Sequence, residues 1–386
     1  MTTTLITLSV LVVSLILAGI FSEPLHQPLP SNLNVQNVDT VIQNLHPDSN
    51  ILEARETFTS FGRWFRGIQG PESIHVVDNG GGIVKGFVLD RYGYLYSGNF
   101  SSGEVHLEAY VGPGRPLGFH VLHDGKTVII CNALIGLMSL DLDTKHLSVL
   151  SNGYTTRGKH VPLSYANDLD IDEERSALYF TDSTNIPPAL NRLGFYDTMK
   201  SYMLSALSGR ATGALLRYDM NQGTTRLLME GLHFANGVAV SDSGDYVLVA
   251  ETSAMRLMKY HVGNGSSEVL IDSLPGYPDG LCRSHDGTFW VAIVIPCVRP
   301  TLTFQLLKSP APIRWILSWL FSSVGDLVKL PKMGMVLKIN GETGEILRVL
   351  LDETGEHVAG VSGVYEYNDT LYFGHLQYDY ITSVKL

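Results

Sequence analysis

The chain has 386 residues, a formal net charge of −11 and three cysteines. That acidic balance argues against a basic nucleic-acid-binding surface, so no nucleic-acid partner is expected. Cys131, Cys282 and Cys297 are too few for a disulfide framework, although a single Cys282–Cys297 bridge stays open.

The first element is Leu5 to Phe21, 17 residues without a charge. At about 1.5 Å rise per residue it reaches roughly 26 Å, just short of a ~30 Å hydrocarbon core, and Thr2–Thr4 can complete the span. It has no basic n-region and no clear Ala-x-Ala site before Glu23. Residues 1–22 therefore read as an uncleaved transmembrane signal anchor in preference to a signal peptide. Both readings send the chain into the secretory pathway. An anchored chain is single-pass in the endoplasmic reticulum or plasma membrane, with the C-terminal domain lumenal or extracellular; a cleaved one is secreted. Residues 23–50 are rich in Pro, Asn, Gln and Asp with little periodicity, as in a stalk or linker.

From residue 51 to 386 the chain reads as all-β and repetitive. An anchor residue is followed by a small residue and then an apolar one: Glu72-Ser73-Ile74, Leu117-Gly118-Phe119, Asn167-Asp168-Leu169, Asn236-Gly237-Val238, Asp279-Gly280-Leu281 and Ser362-Gly363-Val364. A second strand follows each: YLYSGN, VIICNAL, LYFTDS, YVLVAET, FWVAI and LYFGHL. Third and fourth strands follow in LLRYDM with TTRLLME, and in VLKIN with EILRVLL. The anchors are spaced 45, 50, 69, 43 and 83 residues apart, with extra segments in the two long gaps. A period near 45 with about four strands per unit predicts a six-bladed β-propeller. The last unit shows only three strands, up to Ile381–Leu386, so the segment after Ile51 is expected to supply the fourth and close the ring.

Two short helical insertions are expected, at about 185–210 (LGFYDTMKSYMLSAL) and 296–331. The second has few charges and a Trp315–Trp319 pair four residues apart. It reads either as a lid packed on the propeller or as an interfacial helix touching the membrane and roofing the axial channel. Glycosylation sequons begin at Asn99, Asn264 and Asn368, in keeping with lumenal exposure.

A propeller turns equivalent positions of its innermost strands toward one axis, so the anchors form a candidate site. Glu72, Asn167, Asn236 and Asp279 bring two carboxylates and two amide carbonyls, a donor set suited to Ca²⁺. No Cys/His cluster suits zinc. Singly, Asn-Gly and Asp-Gly are ordinary turn dipeptides; the argument rests on four oxygen anchors at equivalent positions. His233 and His375 could lie near the axial face, although a lone histidine beside a strand is more often structural.

The motifs GPESI, GRPLGF, ANDLDI, GLHFANGVAVS, LPGYPDG and YEYNDTLYFGHL, in this order, resemble the strictosidine synthase-like family, and most of all its animal branch, the adipocyte plasma membrane-associated proteins. The resemblance covers nearly everything from Gly70 onward. It implies a six-bladed propeller related to paraoxonases, with Glu72, Asn167, Asn236 and Asp279 matching axial calcium ligands and Asp168 a ligand of a deeper second calcium. It also implies esterase-like hydrolysis of small apolar esters or lactones, with Glu72 or Asp279 as ligand and proton acceptor together. Three departures matter. Leu117 stands where paraoxonases place a histidine base, and Ser362 where true strictosidine synthases place their catalytic glutamate. Gly280 replaces an Asn common in the family. Alkaloid-type condensation is therefore not expected, and a non-catalytic propeller with structural calcium is the alternative.

Overall fold

The computed structural model describes residue 29 and residues 33–58, 61–78, 84–100, 102–297, 306–324 and 330–386. The expected anchor at residues 1–22 lies outside the described residues. Among those described, no helix is long and apolar enough to cross a membrane.

Six antiparallel sheets follow one another as propeller blades, with innermost strands Ile74–Asp78, Pro116–Val121, Ala166–Asp172, Ala235–Val240, Gly276–Arg283 and Val361–Tyr367. In blades 2 to 6 the expected second strands pair with these. Blade 1 differs. Its second strand is Val84–Leu89, and YLYSGN, at Tyr94–Asn99, is the third. The short run KGFVL carries no strong turn boundary before it other than glycines, so the sequence reading passed over it.

The ring closes as expected. Phe61–Trp64 pairs antiparallel with Ile381–Lys385 as the outer strand of blade 6, and Trp64 Nε1 donates to Ser383 Oγ at 2.8 Å. Arg55–Glu56 adds a fifth, parallel strand to blade 5. Part of the stretch expected as linker is instead packed on the propeller. Val38, Ile42 and Leu45 fall at helical spacing and are buried, the first two against Ala254, around the short helix Thr40–Gln43.

The small residue after each anchor has a packing cause. A Cβ on Gly237 would lie 2.2 Å from the Asp279 carbonyl oxygen of the next blade. One on Gly363 would lie 2.5 Å from the Glu72 carbonyl oxygen, across the point where blade 6 meets blade 1. Innermost strands thus approach backbone to backbone around the axis.

A second repeat is carried by side chains. Asn132, Asp182, Glu251 and His375 occupy the same register at the end of the second strand, opposite Pro116, Ala166, Ala235 and Val361. Each ties down the segment entering its own blade. Asn132 Nδ2 donates to the Val111 and Pro113 carbonyls; Asp182 accepts from the Tyr165 and Ser164 amides; Glu251 accepts from the His233 amide; His375 Nδ1 donates to the Ala359 carbonyl. Every such group satisfies backbone that would otherwise be buried and unpaired.

Each second strand runs back to the face where its first strand began, so a connection from second to third strand rises over the anchors. Both insertions leave from that connection, in blades 3 and 5. The first forms a hairpin, Ala189–Leu190 with Tyr196–Asp197, and a helix, Thr198–Ser208, capped by Asp197. The second contains the helix Ala311–Val324; Leu317 within it and Leu307 ahead of it pack with Leu207 of the first helix. Arg314 is fully buried between them. Its guanidinium donates to the Leu207 carbonyl at the end of the first helix, to Ser309 and to Gln36.

The three cysteines are unpaired, so the Cys282–Cys297 bridge does not form. Cys297 is packed with Tyr277 and Val294, whereas Cys282 faces the Trp290 and Phe373 cluster, in different parts of the core.

Candidate functional site

Glu72, Asn167, Asn236 and Asp279 line one small axial cavity of about 40 Å³. Its other walls are largely apolar or aromatic, among them Tyr165, Met199, Tyr202, Phe234 and Val294. Thr198, Met199 and Tyr202 come from the first inserted helix. That helix covers the anchors, whereas Ala311–Val324 lies behind it and contributes nothing to the cavity wall.

Two hydroxyl relays orient the amides. Asn167 Nδ2 donates to Ser183 Oγ at 2.8 Å, and Ser183 donates in turn to the Ala235 carbonyl at 2.6 Å. Asn236 Nδ2 donates to Thr252 Oγ1 at 3.1 Å, and Thr252 donates to the Pro278 carbonyl at 2.8 Å. A carbonyl oxygen can only accept. Each hydroxyl has therefore spent its proton on a carbonyl and must accept from the amide, which fixes the nitrogen on that side. The carbonyl oxygen of each Asn is left at the opposite corner of the amide, turned away from its relay.

The carboxylates are held in a costly environment. Burial, reinforced by the Glu72 and Asp168 charges, pushes the Asp279 carboxyl well above the usual carboxylate range, against a hydrogen bond from Asn236. Burial also raises Glu72, although the Arg115 guanidinium opposes it with an ion pair of 3.1 Å. Glu72 is paired with the buried Arg115 guanidinium whereas Asp279 makes no ion pair among the described residues, so the cavity favours further positive charge. With two amide carbonyls beside them, the donor set fits a hard divalent cation such as calcium. Among the described residues no group of three His, Cys, Asp or Glu side chains is placed to hold a metal, and this axial set is half amide.

Asp168 is not in this cavity. It lines the deeper channel, of about 170 Å³, with Ser73, His75 and Gly280. Burial raises its pKa to about 7 despite hydrogen bonds from the Leu169 and Val238 amides. Leu117 is a buried core residue, and the Ser362 hydroxyl donates to the Glu72 backbone carbonyl at 3.1 Å. A Cβ on Gly280 would meet the Ser362 carbonyl oxygen at 2.7 Å, so an Asn there would need the blades to part.

Neither His233 nor His375 reaches the cavity. His233 Nε2 pairs with Asp39 at 2.7 Å, and His375 is buried between Ala359 and Thr382 with its pKa lowered by burial to about 4. The sequence reading missed Arg115, Ser183 and Thr252. Ser183 and Thr252 each follow the strand-end acid, in TDS and AET, and that shared register was the available signal. Nothing local marked Arg115.

The sequons carry their Asn at or near hairpin ends. Asn264 and Asn368 are exposed, and Asn99 is half-buried.

Residues 167–265 match the family model described as strictosidine synthase. The adipocyte plasma membrane-associated protein of Gallus gallus is 30% identical over 346 residues, covering 84% of this chain and 77% of that one. Strictosidine synthase-like 3 of Arabidopsis thaliana is 30% identical over 357 residues, covering 84% of each. In fold, regucalcin of Agrobacterium tumefaciens, named as a calcium-binding protein, superposes with a TM-score of 0.54 over 86% of this chain and 95% of that one at 15% identity. With the repeat order and the propeller already in view, these relationships mean that the chain belongs to the strictosidine synthase-like family, alongside the adipocyte plasma membrane-associated proteins.

Proposed function

We propose that this protein is a calcium-dependent hydrolase of small esters or lactones. The observation that carries the reading is the axial cavity, where Glu72, Asn167, Asn236 and Asp279 meet and both amides are held with their nitrogens turned to hydroxyl relays. Calcium bound by these four would polarise an ester carbonyl and acidify a water. Asp279, whose proton affinity is raised by burial and by Glu72, is suited to accept the proton released, with Glu72 as the second candidate. Tyr165, Tyr202 and Phe234 exclude water and give the cavity an apolar wall for the hydrocarbon part of the substrate. Asp168, below, is the candidate ligand of a second calcium.

The test is turnover of aryl esters and lactones by the purified full chain, with and without chelator. Glu72→Gln combined with Asp279→Asn should abolish it. Activity indifferent to both treatments would overturn the reading.

A second reading has its own support: Leu117 and Ser362 are used in packing and offer no base. A non-catalytic propeller braced by calcium would lose thermal stability on chelation and show no turnover above background.

For location, we place the propeller on the lumenal or extracellular side of the endoplasmic reticulum or plasma membrane, with Leu5–Phe21 as anchor and glycans on Asn99, Asn264 and Asn368. The name of the Gallus gallus relative supports membrane association. Ile313, Trp315 and Ile316 form an exposed apolar face on the second inserted helix, with Trp319 half-buried beside it, which suits contact with the same bilayer.

A further inference from the structure

A cleft of about 400 Å³ adjoins the axial cavity, with Thr198, Met199 and Leu376 as a shared wall. Its remaining surface is unusually cationic for a chain of this charge: Arg91, Arg115 and Lys332 all line it.

The two arginines stand on either side of Gly70. Arg115 donates to the Gly70 carbonyl at 3.0 Å, and the Arg91 guanidinium occupies the space where a Gly70 Cβ would project, its Nη2 2.7 Å from that point. Arg115 is almost wholly buried. Its Nη2 serves both Gly70 and Glu72, while its Nη1 has no hydrogen-bond partner. Arg91 donates through Nη2 to the Leu376 carbonyl and stacks 4.7 Å from the Phe195 ring centroid, while its Nε has no partner. Burial and the charge of Arg115 lower the Arg91 pKa from its ordinary value. Asp197, the carboxylate on the cleft wall, caps the Thr198–Ser208 helix by accepting from the Lys200 amide at 2.8 Å, and its charge, with that of Asp90, also acts favourably on Arg91.

Glu72 answers Arg115 alone, so two neighbouring guanidiniums, each with an unmet N–H, share one hydrogen-bonded carboxylate and favour a further anion. Planar guanidinium forks suit a carboxylate in particular. We propose that the cleft receives a carboxylate carried by the substrate, so that the natural substrates are esters or lactones of dicarboxylic or similar acids. The acyl carbonyl then faces the axial cavity and the free carboxylate faces Arg91 and Arg115. This rests on the ester-hydrolase reading of the axial site and narrows it.

The experiment uses the full chain and a matched pair of ligands that cannot be hydrolysed readily: glutaric acid monoanilide and its methyl ester. Equilibrium binding by calorimetry should favour the acid by about tenfold or more, the order expected of charge-assisted hydrogen bonds. Arg91→Gln should bring that ratio to within about threefold of unity. If this variant does not fold, Arg91→Lys replaces it, since it keeps the charge and loses the fork, and the ratio should still fall. Equal binding of acid and ester by the parent chain would overturn the proposal, as would a ratio unchanged in the variant. Monophenyl glutarate and phenyl methyl glutarate are then compared as substrates. Preferential binding of the acid anilide with no turnover of either phenyl ester would refute the hydrolase reading and leave the carboxylate site standing.

Discussion

Thr252→Val removes one hydroxyl and keeps the shape of the side chain. That hydroxyl accepts from Asn236 Nδ2 at 3.1 Å and donates to the Pro278 carbonyl at 2.8 Å, all within the buried wall between blades 4 and 5. Two hydrogen bonds disappear, and an amide N–H and a carbonyl are left without partners. At about 1–3 kcal/mol for each of the two stranded groups, the fold should lose about 2–6 kcal/mol. The effect on calcium is separable. Without the relay, only the hydrogen bond to Asp279 still holds the Asn236 nitrogen, and a cation must then select the carbonyl-inward orientation against freer alternatives. If that selection costs about one net hydrogen bond, affinity falls about five- to tenfold. Calcium titration by calorimetry reads the affinity, and melting with and without calcium reads the linkage, about 1.4 kcal/mol lost at a fixed saturating concentration for a tenfold weaker site. Ser183→Ala should reproduce the pattern at Asn167. A Thr252→Val protein that is destabilised as calculated yet binds calcium within twofold of the parent would refute the orientation argument. The relay would then only brace the blades.

Gly237→Ala places a Cβ 2.2 Å from a backbone oxygen of blade 5, so a loss of about 3 kcal/mol or more is expected by denaturation; Gly263→Ala, which meets nothing within 4 Å, should be close to neutral. Burial raises Asp182 to about 7 in the fold. A carboxyl raised above its unfolded value of about 3.9 costs nothing while both states are protonated, and its penalty grows as pH rises from about 4 to 7. Asp182→Asn should therefore flatten that part of the stability–pH curve by an amount on the order of a few kcal/mol; an unaltered slope from pH 4 to 7.5 would contradict it. Arg314→Met strands the carbonyls of Leu207, Ser309 and Gln36, so hydrogen exchange should accelerate through Thr198–Ser208 while the blade strands keep their protection. Trp315→Ser with Ile316→Ser, on an exposed face, should reduce co-sedimentation with liposomes while leaving the melting temperature within a few degrees; a large loss of stability with unchanged co-sedimentation would mark the helix as a packed lid.

The propeller was legible because its geometry writes itself into single positions. Where innermost strands touch, Gly237 and Gly363 have no room for a side chain, and the small residue recurs at the blade period. The four oxygen anchors were legible for the same reason, since equivalent positions share an axis. Arg115 was not, because its partners Gly70 and Glu72 belong to another blade and no spacing within one unit encodes a contact between units. The packed stretch around Ile42 was masked by its Pro- and Asn-rich flanks, although Val38, Ile42 and Leu45 keep helical spacing. The second strand of blade 1 was masked in another way, by a glycine run that reads as loop on both sides.

The clasp between Trp64 and Ser383 joins residues 319 apart in sequence. Bringing such distant points together in an unfolded chain costs about 5 kcal/mol in chain entropy by the logarithmic estimate, a cost that falls only as the sequence-local blades form and carry the ends together. The ring is thus an assembly whose final seam must wait for the whole repeat array, and until then the strand Ile381–Lys385 presents an unpaired edge. A pull on residues ahead of Phe61 would be taken first by the packed stretch around Ile42 and by the Arg55–Glu56 strand on blade 5, which shield the seam. Only after those contacts give way would the load reach the clasp, where four antiparallel residues are backed by the Gly67 and Gly70 amides donating to the Asp379 and Tyr378 carbonyls.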